Sequence, residues 1–156
     1  MREEYTSLGL MSGTSADGVD ASIILSNGVD KYEVIIDKFY EYDKEIKLNI
    51  HSLKQKIHNK THIKKLSKDL KDLERKITIF HAKTIEDLLS DNEVNIIGFH
   101  GQTIYHNSEE KISYQLGDAK LLSQLSKKDI VYNFRQNDID NGGEGAPLTP
   151  IFHQLI

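Results

Sequence analysis

Residues 9–20 read GLMSGTSADGVD, and this stretch contains the turn between the first two extended runs of the chain. A cluster of turn-forming residues, from Ser12 to Gly18, separates two apolar runs, Tyr5 to Met11 and Val19 to Leu25. A second turn at residues 26–28 leads into a third extended run at residues 32–42. Short extended runs joined by tight turns predict an antiparallel three-stranded meander.

The rest of the chain alternates between helical and extended patterns. Apolar residues recur at helical spacing in residues 46–57 and again in 66–88, with a polar break at 58–61. Extended runs follow at 94–99, 112–116 and 130–134, and Asp118 is placed to cap a helix through residues 121–125. Residues 142–147 form a glycine-rich loop, and residues 148–156 predict the start of another helix. This order predicts an α/β fold with a mixed sheet.

Length and composition narrow the class of protein. A chain of 156 residues has room for one domain, or for one lobe of a two-domain protein. The net charge is -4, and the acidic and basic residues are well mixed along the chain, which argues against nucleic-acid and anionic-membrane binding. The absence of cysteine excludes disulfides, thiolate metal sites and cysteine nucleophiles. The sequence shows no secretory signal and no apolar stretch of membrane-spanning length, so we expect a cytoplasmic protein.

The first turn has the composition of a phosphate-binding loop. Gly13 and Gly18 permit close approach of backbone N–H groups, and Thr14 and Ser15 add hydroxyl donors. Asp17 and its neighbour Asp20 are acids that could hold Mg²⁺ through water. The pattern is neither a P-loop nor a dinucleotide-binding fingerprint. An ordinary serine- and glycine-rich hairpin turn explains the same residues equally well.

A second polar segment follows the predicted strand at residues 94–99. His100 and Gln102 lie where α/β sheets place ligand contacts, so both could hydrogen-bond a sugar. The alternative is that His100 is a structural hydrogen-bonding residue. His100 and His106 do not have the spacing of helical metal ligands, and the sequence contains no HExxH motif.

A third polar segment follows the predicted strand at residues 130–134. Arg135 offers a planar fork of donors suited to a carboxylate or a phosphate. A salt bridge to Asp138 or Asp140 is the alternative role for this arginine. The glycine-rich run 142–145 allows close backbone approach to a ligand, although a flexible linker has the same composition.

In their order along the chain, these segments resemble the anhydro-N-acetylmuramic acid kinase family. The hairpin at residues 9–20 is similar to the first phosphate signature of that family, and residues 98–106 are similar to its histidine-glycine-glutamine segment. Residues 115–118, 134–138 and 142–147 follow in the family order, as do Pro150 and His153. The resemblance spans nearly the whole chain and implies the ribonuclease-H-like lobe of the actin-like ATPases and sugar kinases.

The resemblance implies an enzyme of peptidoglycan recycling. Such kinases use ATP and water to open the 1,6-anhydro ring and to phosphorylate the sugar, giving N-acetylmuramic acid 6-phosphate. The resemblance assigns the sugar to His100, Gln102, Arg135 and Asp138, with Arg135 as the partner of the lactyl carboxylate. It assigns the metal to Asp17. It assigns the ATP phosphates and Mg²⁺ to Gly13, Thr14, Ser15, Ala16, Asp17, Gly18, Val19 and Asp20. Related sugar kinases often carry an aspartate at the place of Met11, so magnesium would depend on Asp17, Asp20 or residues outside the chain.

The family pattern also includes parts that residues 1–156 do not contain. We expect these residues to form the N-terminal nucleotide-phosphate and sugar-binding lobe of a two-lobe kinase, with no catalytic base of its own and no activity in isolation. A C-terminal lobe, in the same chain or as a separate partner, would supply the base, the second phosphate signature and the adenosine pocket. The family also suggests a homodimer. The alternatives are a non-catalytic sugar- or phosphate-binding module and the remnant of a split gene.

Overall fold

The computed structural model describes residues 3–150, which form one mixed sheet with helices between its strands. The strands are β1 (Tyr5–Ser12), β2 (Gly18–Ser26), β3 (Tyr32–Glu41), β4 (Ile96–Asn107), β5 (Ile112–Leu116) and β6 (Ile130–Tyr132). The helices are α1 (Lys44–Lys56), α2 (Lys60–Lys65), α3 (Ser67–Leu89), α4 (Ala119–Ser126) and α5 (Phe134–Asp140). Within this range, no helix is both long and apolar enough to cross a membrane.

The sheet joins the predicted meander to parallel strands. Its order is β3-β2-β1-β4-β5, and β6 pairs with β4 beside β5. The β1–β2 and β2–β3 pairs are antiparallel, whereas β1–β4 and β4–β6 are parallel. The predicted fold class, a ribonuclease-H-like α/β lobe with a mixed sheet, is therefore confirmed.

The two faces of β1 have different neighbours. Leu8 and Leu10 belong to the hydrophobic core, which also contains apolar residues of α1, α3 and α4. Because successive side chains of a strand point to opposite faces, Gly9 and Met11 lie on the other face. Met11 is exposed there, so the end of β1 is available to line an open surface.

Local capping explains where the helices begin. The Asp43 side chain accepts a hydrogen bond from the N–H of Ile46 at the start of α1, and Asp118 accepts one from Leu121 at the start of α4. The cap predicted at Asp118 is confirmed. The polar break predicted at residues 58–61 contains Asn59, whose side chain caps the additional short helix α2.

Two predicted strand ends are wrong. The strand predicted at residues 94–99 continues to Asn107. Gly101, at a φ of 73°, lies where β4 passes from its parallel partner β6 to its antiparallel partner β5, and glycine adopts this conformation without strain. The strand predicted to reach Phe134 ends at Tyr132, because Asn133 adopts the left-handed conformation and α5 begins directly after it. The helix predicted from residue 148 lies mostly outside the described residues, as does His153.

Gly18, at the start of β2, is required by its close approach to β3. A Cβ atom on Gly18 would lie 2.2 Å from the carbonyl oxygen of Tyr40, and also against the ring of Phe39. We expect Gly18→Ala to lower the free energy of unfolding by about 2 kcal/mol, because the backbone of β3 would have to move. Gly9→Ala is the matched control, since its Cβ would meet only the Ser22 carbonyl at 3.9 Å. Urea unfolding measures both; equal stabilities of the two variants would contradict the prediction.

Candidate functional site

The turn between β1 and β2 exposes a short run of polar backbone and hydroxyl groups. Thr14 and Ser15 are exposed, whereas the following Ala16 is fully buried at a φ of 63°. The N–H of Ala16 donates to the Gly13 carbonyl, which closes the turn. No protein group in the described part of the chain accepts a hydrogen bond from the amide of Thr14 or Ser15. The turn therefore presents two free amide donors and two hydroxyls to solvent.

Three carbonyl groups of this turn are held by donors from other elements. Nε2 of Gln102 in β4 donates to the Gly13 carbonyl at 2.7 Å, and Nζ of Lys54 in α1 donates to the Thr14 carbonyl at 2.5 Å. The N–H of Tyr42 donates to the Asp17 carbonyl at 2.9 Å. The turn is thus anchored from three separate segments, of which the sequence singled out only Gln102.

A buried chain of hydrogen bonds lies beneath the turn. Nδ1 of His81 is 2.8 Å from the carbonyl of Ile77, which can only accept, so Nδ1 carries the proton. Nε2 then accepts from the Ser12 hydroxyl at 3.2 Å, and Ser12 accepts from the Tyr42 hydroxyl at 2.9 Å. Burial lowers the pKa of His81 to about 4 and raises that of Tyr42. The neutral histidine and the neutral phenol therefore support the end of β1.

The two acids of the first segment lie at different places. Asp17 is exposed in the turn. Asp20 pairs with Met11 in the β1–β2 ladder, and Asp20 and Met11 line an open cleft. Among residues 3–150, no three histidine or acidic side chains form a group that could hold a metal ion by themselves. Magnesium normally keeps several waters and needs only one or two carboxylates, so exposed Asp17 or Asp20 fits that mode of binding.

Arg135 and His100 form a hydrogen-bonded pair at the same cleft. Nδ1 of His100 is 2.7 Å from the Gly101 carbonyl, so it is the protonated nitrogen, and Nε2 accepts from Nε of Arg135 at 2.7 Å. Burial, and then the adjacent charge of Arg135, lower the pKa of His100. Nη1 of Arg135 donates to the Gly145 carbonyl at 2.8 Å. With two of its nitrogens held in this way, the guanidinium has Nη2 left for a ligand.

Asp138 organises the glycine-rich loop. Its carboxylate accepts a hydrogen bond from the N–H of Gly145 at 2.8 Å, and its carbonyl accepts one from Gly143. A Cβ atom on Gly143 would lie 2.1 Å from that carboxylate, so the loop closes tightly around Asp138. In the described residues, Arg135 makes no salt bridge to Asp138 or Asp140. The loop is therefore bound to α5 and is not a free linker.

The cleft next to Arg135 has a volume of about 1150 Å³ and is open to solvent. Its volume is slightly above the usual range for small-molecule sites. The polar side chains that line it come from β2, from β4, from the start of α5 and from Thr149, which follows the glycine-rich loop. The lining includes Met11, Asp20, His100, Phe134, Arg135 and Leu148.

The structure gathers some of the predicted site residues and separates others. Asp20, His100 and Arg135 share the cleft, while residues 13–17 form the turn at the end of the same hairpin. Gln102 is fully buried against Gly13, and Asp138 faces the glycine loop. The sugar contacts predicted for these two residues stay predictions. Lys54 carried no sequence signal, because its contact joins residues 40 positions apart.

The strand order and the hydroxyl-rich turn define the class: an α/β lobe of the ribonuclease-H-like kind found in sugar kinases. Comparison with known sequences gives the family. The model of the anhydro-N-acetylmuramic acid kinase family matches residues 5–156, and the chain belongs to this family.

Curated relatives agree with the family model. An anhydro-N-acetylmuramic acid kinase from Pelagibacter ubique (strain HTCC1062) is 57% identical over 158 residues, which cover 100% of this chain and 42% of the relative. Kinases of the same name from Agrobacterium fabrum and Gluconobacter oxydans are 33% and 38% identical, and 43% and 41% of their lengths are covered. The chain thus spans less than half the length of these relatives.

Proposed function

We propose that this chain forms the phosphate- and sugar-binding lobe of a kinase that hydrolytically opens 1,6-anhydro-N-acetylmuramic acid and phosphorylates it to N-acetylmuramic acid 6-phosphate. One observation carries the proposal: a turn with free amide and hydroxyl donors ends the same hairpin that lines the Arg135 cleft. Membership of the family supports it. The reaction would serve peptidoglycan recycling in the cytoplasm.

In this proposal, the first turn holds the phosphates of ATP. The amides of Thr14 and Ser15 have no protein acceptor, and their hydroxyls are exposed, so an anionic oxygen would meet several donors at once. Asp17 or Asp20 would hold Mg²⁺ through its waters. When bound, magnesium ATP supplies the phosphoryl group and neutralises charge. The residues of the turn would bind and orient the phosphates.

The Arg135 cleft holds the sugar in this proposal. Arg135 is fixed by His100 and by the Gly145 carbonyl, so its remaining donor is oriented before a ligand arrives. A guanidinium in this position suits the lactyl carboxylate of a muramic acid sugar. His100 is kept neutral and accepts from Arg135, which makes it a positioning residue for the guanidinium. Asp138 holds the loop that presents Gly145.

No residue of the described range is assigned as the catalytic base. We place the base, the second phosphate signature and the adenosine pocket in the part of the relatives' length that this chain does not span. That part would act in the same polypeptide or as a separate partner. Homodimerisation, as the family suggests, belongs to the same proposal.

A coupled assay for ADP release with 1,6-anhydro-N-acetylmuramic acid tests the function. It compares this chain with a protein that continues through the coding sequence downstream of residue 156. We expect turnover by the longer protein alone, because the base and the adenosine pocket are needed. Turnover by this chain alone would contradict the division into lobes. If neither protein turns over although both fold, the kinase proposal fails, and sugar binding by calorimetry then distinguishes a binding module from a remnant.

A further inference from the structure

The two exposed amides of the first turn follow carbonyls that are held from elsewhere in the fold. Gln102 donates to the carbonyl of Gly13, and the N–H of the same peptide group belongs to Thr14. Lys54 donates to the carbonyl of Thr14, and the N–H of that peptide group belongs to Ser15. Each held carbonyl is therefore directly coupled to one of the free donors.

The geometry of the peptide group turns this coupling into an orientation. In a planar trans peptide, the C=O and N–H bonds point in opposite directions. The Gly13 carbonyl points at Gln102, whose side chain is fully buried, so the Thr14 N–H points away from the interior. The Thr14 carbonyl points at Lys54 on α1, so the Ser15 N–H points away from that helix.

We propose that Gln102 and Lys54 are positioning residues, which fix the Thr14 and Ser15 amides in the orientation that receives a phosphate oxygen. The inference rests on the proposed phosphate-binding role of the turn and deepens it. Neither side chain needs to touch the ligand. Each acts through a carbonyl, and preorganised donors bind more strongly because their ordering is already complete before the ligand arrives.

The state of the Gln102 side chain supports a donor role. Its Nε2 bonds to Gly13 and Thr103, while its Oε1 is buried without a partner among the described residues. An unpaired buried oxygen destabilises a fold, so an apolar side chain would pack there at less cost. The need for the Nε2 donor at Gly13 explains why an amide occupies this position.

Lys54 has a matched comparison on its own helix. It lies half-buried in α1 and reaches the turn across 40 residues of sequence. Lys56, two positions further along the same helix, is exposed and makes no hydrogen bond to the described residues of the turn. Replacing either lysine removes one positive charge from the last turn of α1, so comparing the two variants separates the loss of the Thr14 contact from the change in net charge.

Nitrogen–proton correlation spectra of the 156-residue chain, titrated with magnesium tripolyphosphate, test the inference. We expect saturable shifts of the Thr14 and Ser15 amides. Lys54→Met should weaken the apparent affinity about tenfold, because part of the turn would then be ordered only when the ligand binds, and it should reduce the Ser15 shift first. Lys54→Arg should restore binding, because arginine also donates to a carbonyl. Gln102→Leu should reduce the Thr14 shift first.

The other outcomes separate this inference from the proposed function. If Lys56→Met weakens binding as much as Lys54→Met does, net charge explains the effect and the inference fails. If both lysine variants bind like the unmodified chain, the phosphate site stands and the inference for Lys54 fails. If the unmodified chain shows no shift at the turn, the phosphate site is wrong and the inference falls with it. Should Gln102→Leu unfold, the lysine variants still decide, since Lys54 is only half-buried.

Discussion

Lowering the pH from 7 to 4 is expected to remove about 3 kcal/mol from the free energy of unfolding through His81 alone. The side chain is fully buried in α3, with Nδ1 donating to Ile77 and Nε2 accepting from Ser12. Burial lowers its pKa from 6.5 to about 4, so the folded chain keeps His81 neutral while the unfolded chain takes up a proton below pH 6.5. The interval of about 2.5 pH units corresponds to about 3 kcal/mol.

The sign follows from the proton count. Between pH 6.5 and 4, the unfolded state binds more protons at this site than the folded state, so stability falls as the pH falls. Above pH 6.5 the contribution is fully present, and below pH 4 the loss is complete. The pKa of His100 is also lowered by burial, which adds a change in the same direction.

Urea unfolding followed by circular dichroism from pH 4 to pH 7.5 measures this dependence. In His81→Gln, the amide oxygen of the new glutamine can still accept from Ser12, but the side chain does not titrate. The dependence of the free energy of unfolding on pH should therefore flatten below pH 6.5. His51→Gln is the control, because His51 is exposed on α1 and its replacement should leave the slope intact. An unchanged slope in His81→Gln would show that His81 is not the group that titrates.

The parts of the fold that follow from local chemistry could be predicted from the sequence. The meander is marked by turn residues between apolar runs, and α1 and α3 by apolar residues at helical spacing. The cap at Asp118 needs only its own side chain and the third amide after it. Each of these signals acts within a few residues, so the sequence displays it directly.

The course of β4 could not be predicted in this way. Residues 97–99 pair with β6, and residues 102–107 pair with β5, so the strand continues because its partners change. A polar run such as His100 to Thr103 looks like the end of a strand when its partners are unknown. Helix α5 is not predicted by the sequence for a related reason. It begins directly after Asn133, whose left-handed backbone conformation ends the extended run without a local sequence signal.

The candidate site shows the same division between composition and contact. The sequence indicates that the first turn and Arg135 have the right chemistry, and the structure places the Arg135 cleft and the turn at the same hairpin. The sequence alone cannot show that Arg135 donates to His100, 35 residues away, or that Gln102 donates to the Gly13 carbonyl, 89 residues away. These contacts depend on strand pairing, and they decide which side chains meet a ligand and which hold the backbone.

Arg135→Lys is expected to lower kcat/KM for the anhydro-sugar about 100-fold in the longer protein. Arg135 donates from Nε to His100 and from Nη1 to Gly145, and its planar fork leaves a further nitrogen for the sugar carboxylate. Lysine keeps the charge but has a single nitrogen, so it cannot hold both protein acceptors and also meet a carboxylate. Loss of oriented charge-assisted hydrogen bonds corresponds to roughly 3 kcal/mol, or about 100-fold.

The effect should be confined to the sugar. KM for ATP should stay near its original value in Arg135→Lys, because the phosphate turn is anchored by Gln102 and Lys54 and not by Arg135. Arg75→Lys is the matched control, since Arg75 is exposed on α3 and does not line the cleft. An equal rise of both KM values in Arg135→Lys would mean that the substitution disturbs the whole lobe. An unchanged kcat/KM would show that the sugar carboxylate binds elsewhere, because no other cationic side chain of the described residues lines this cleft.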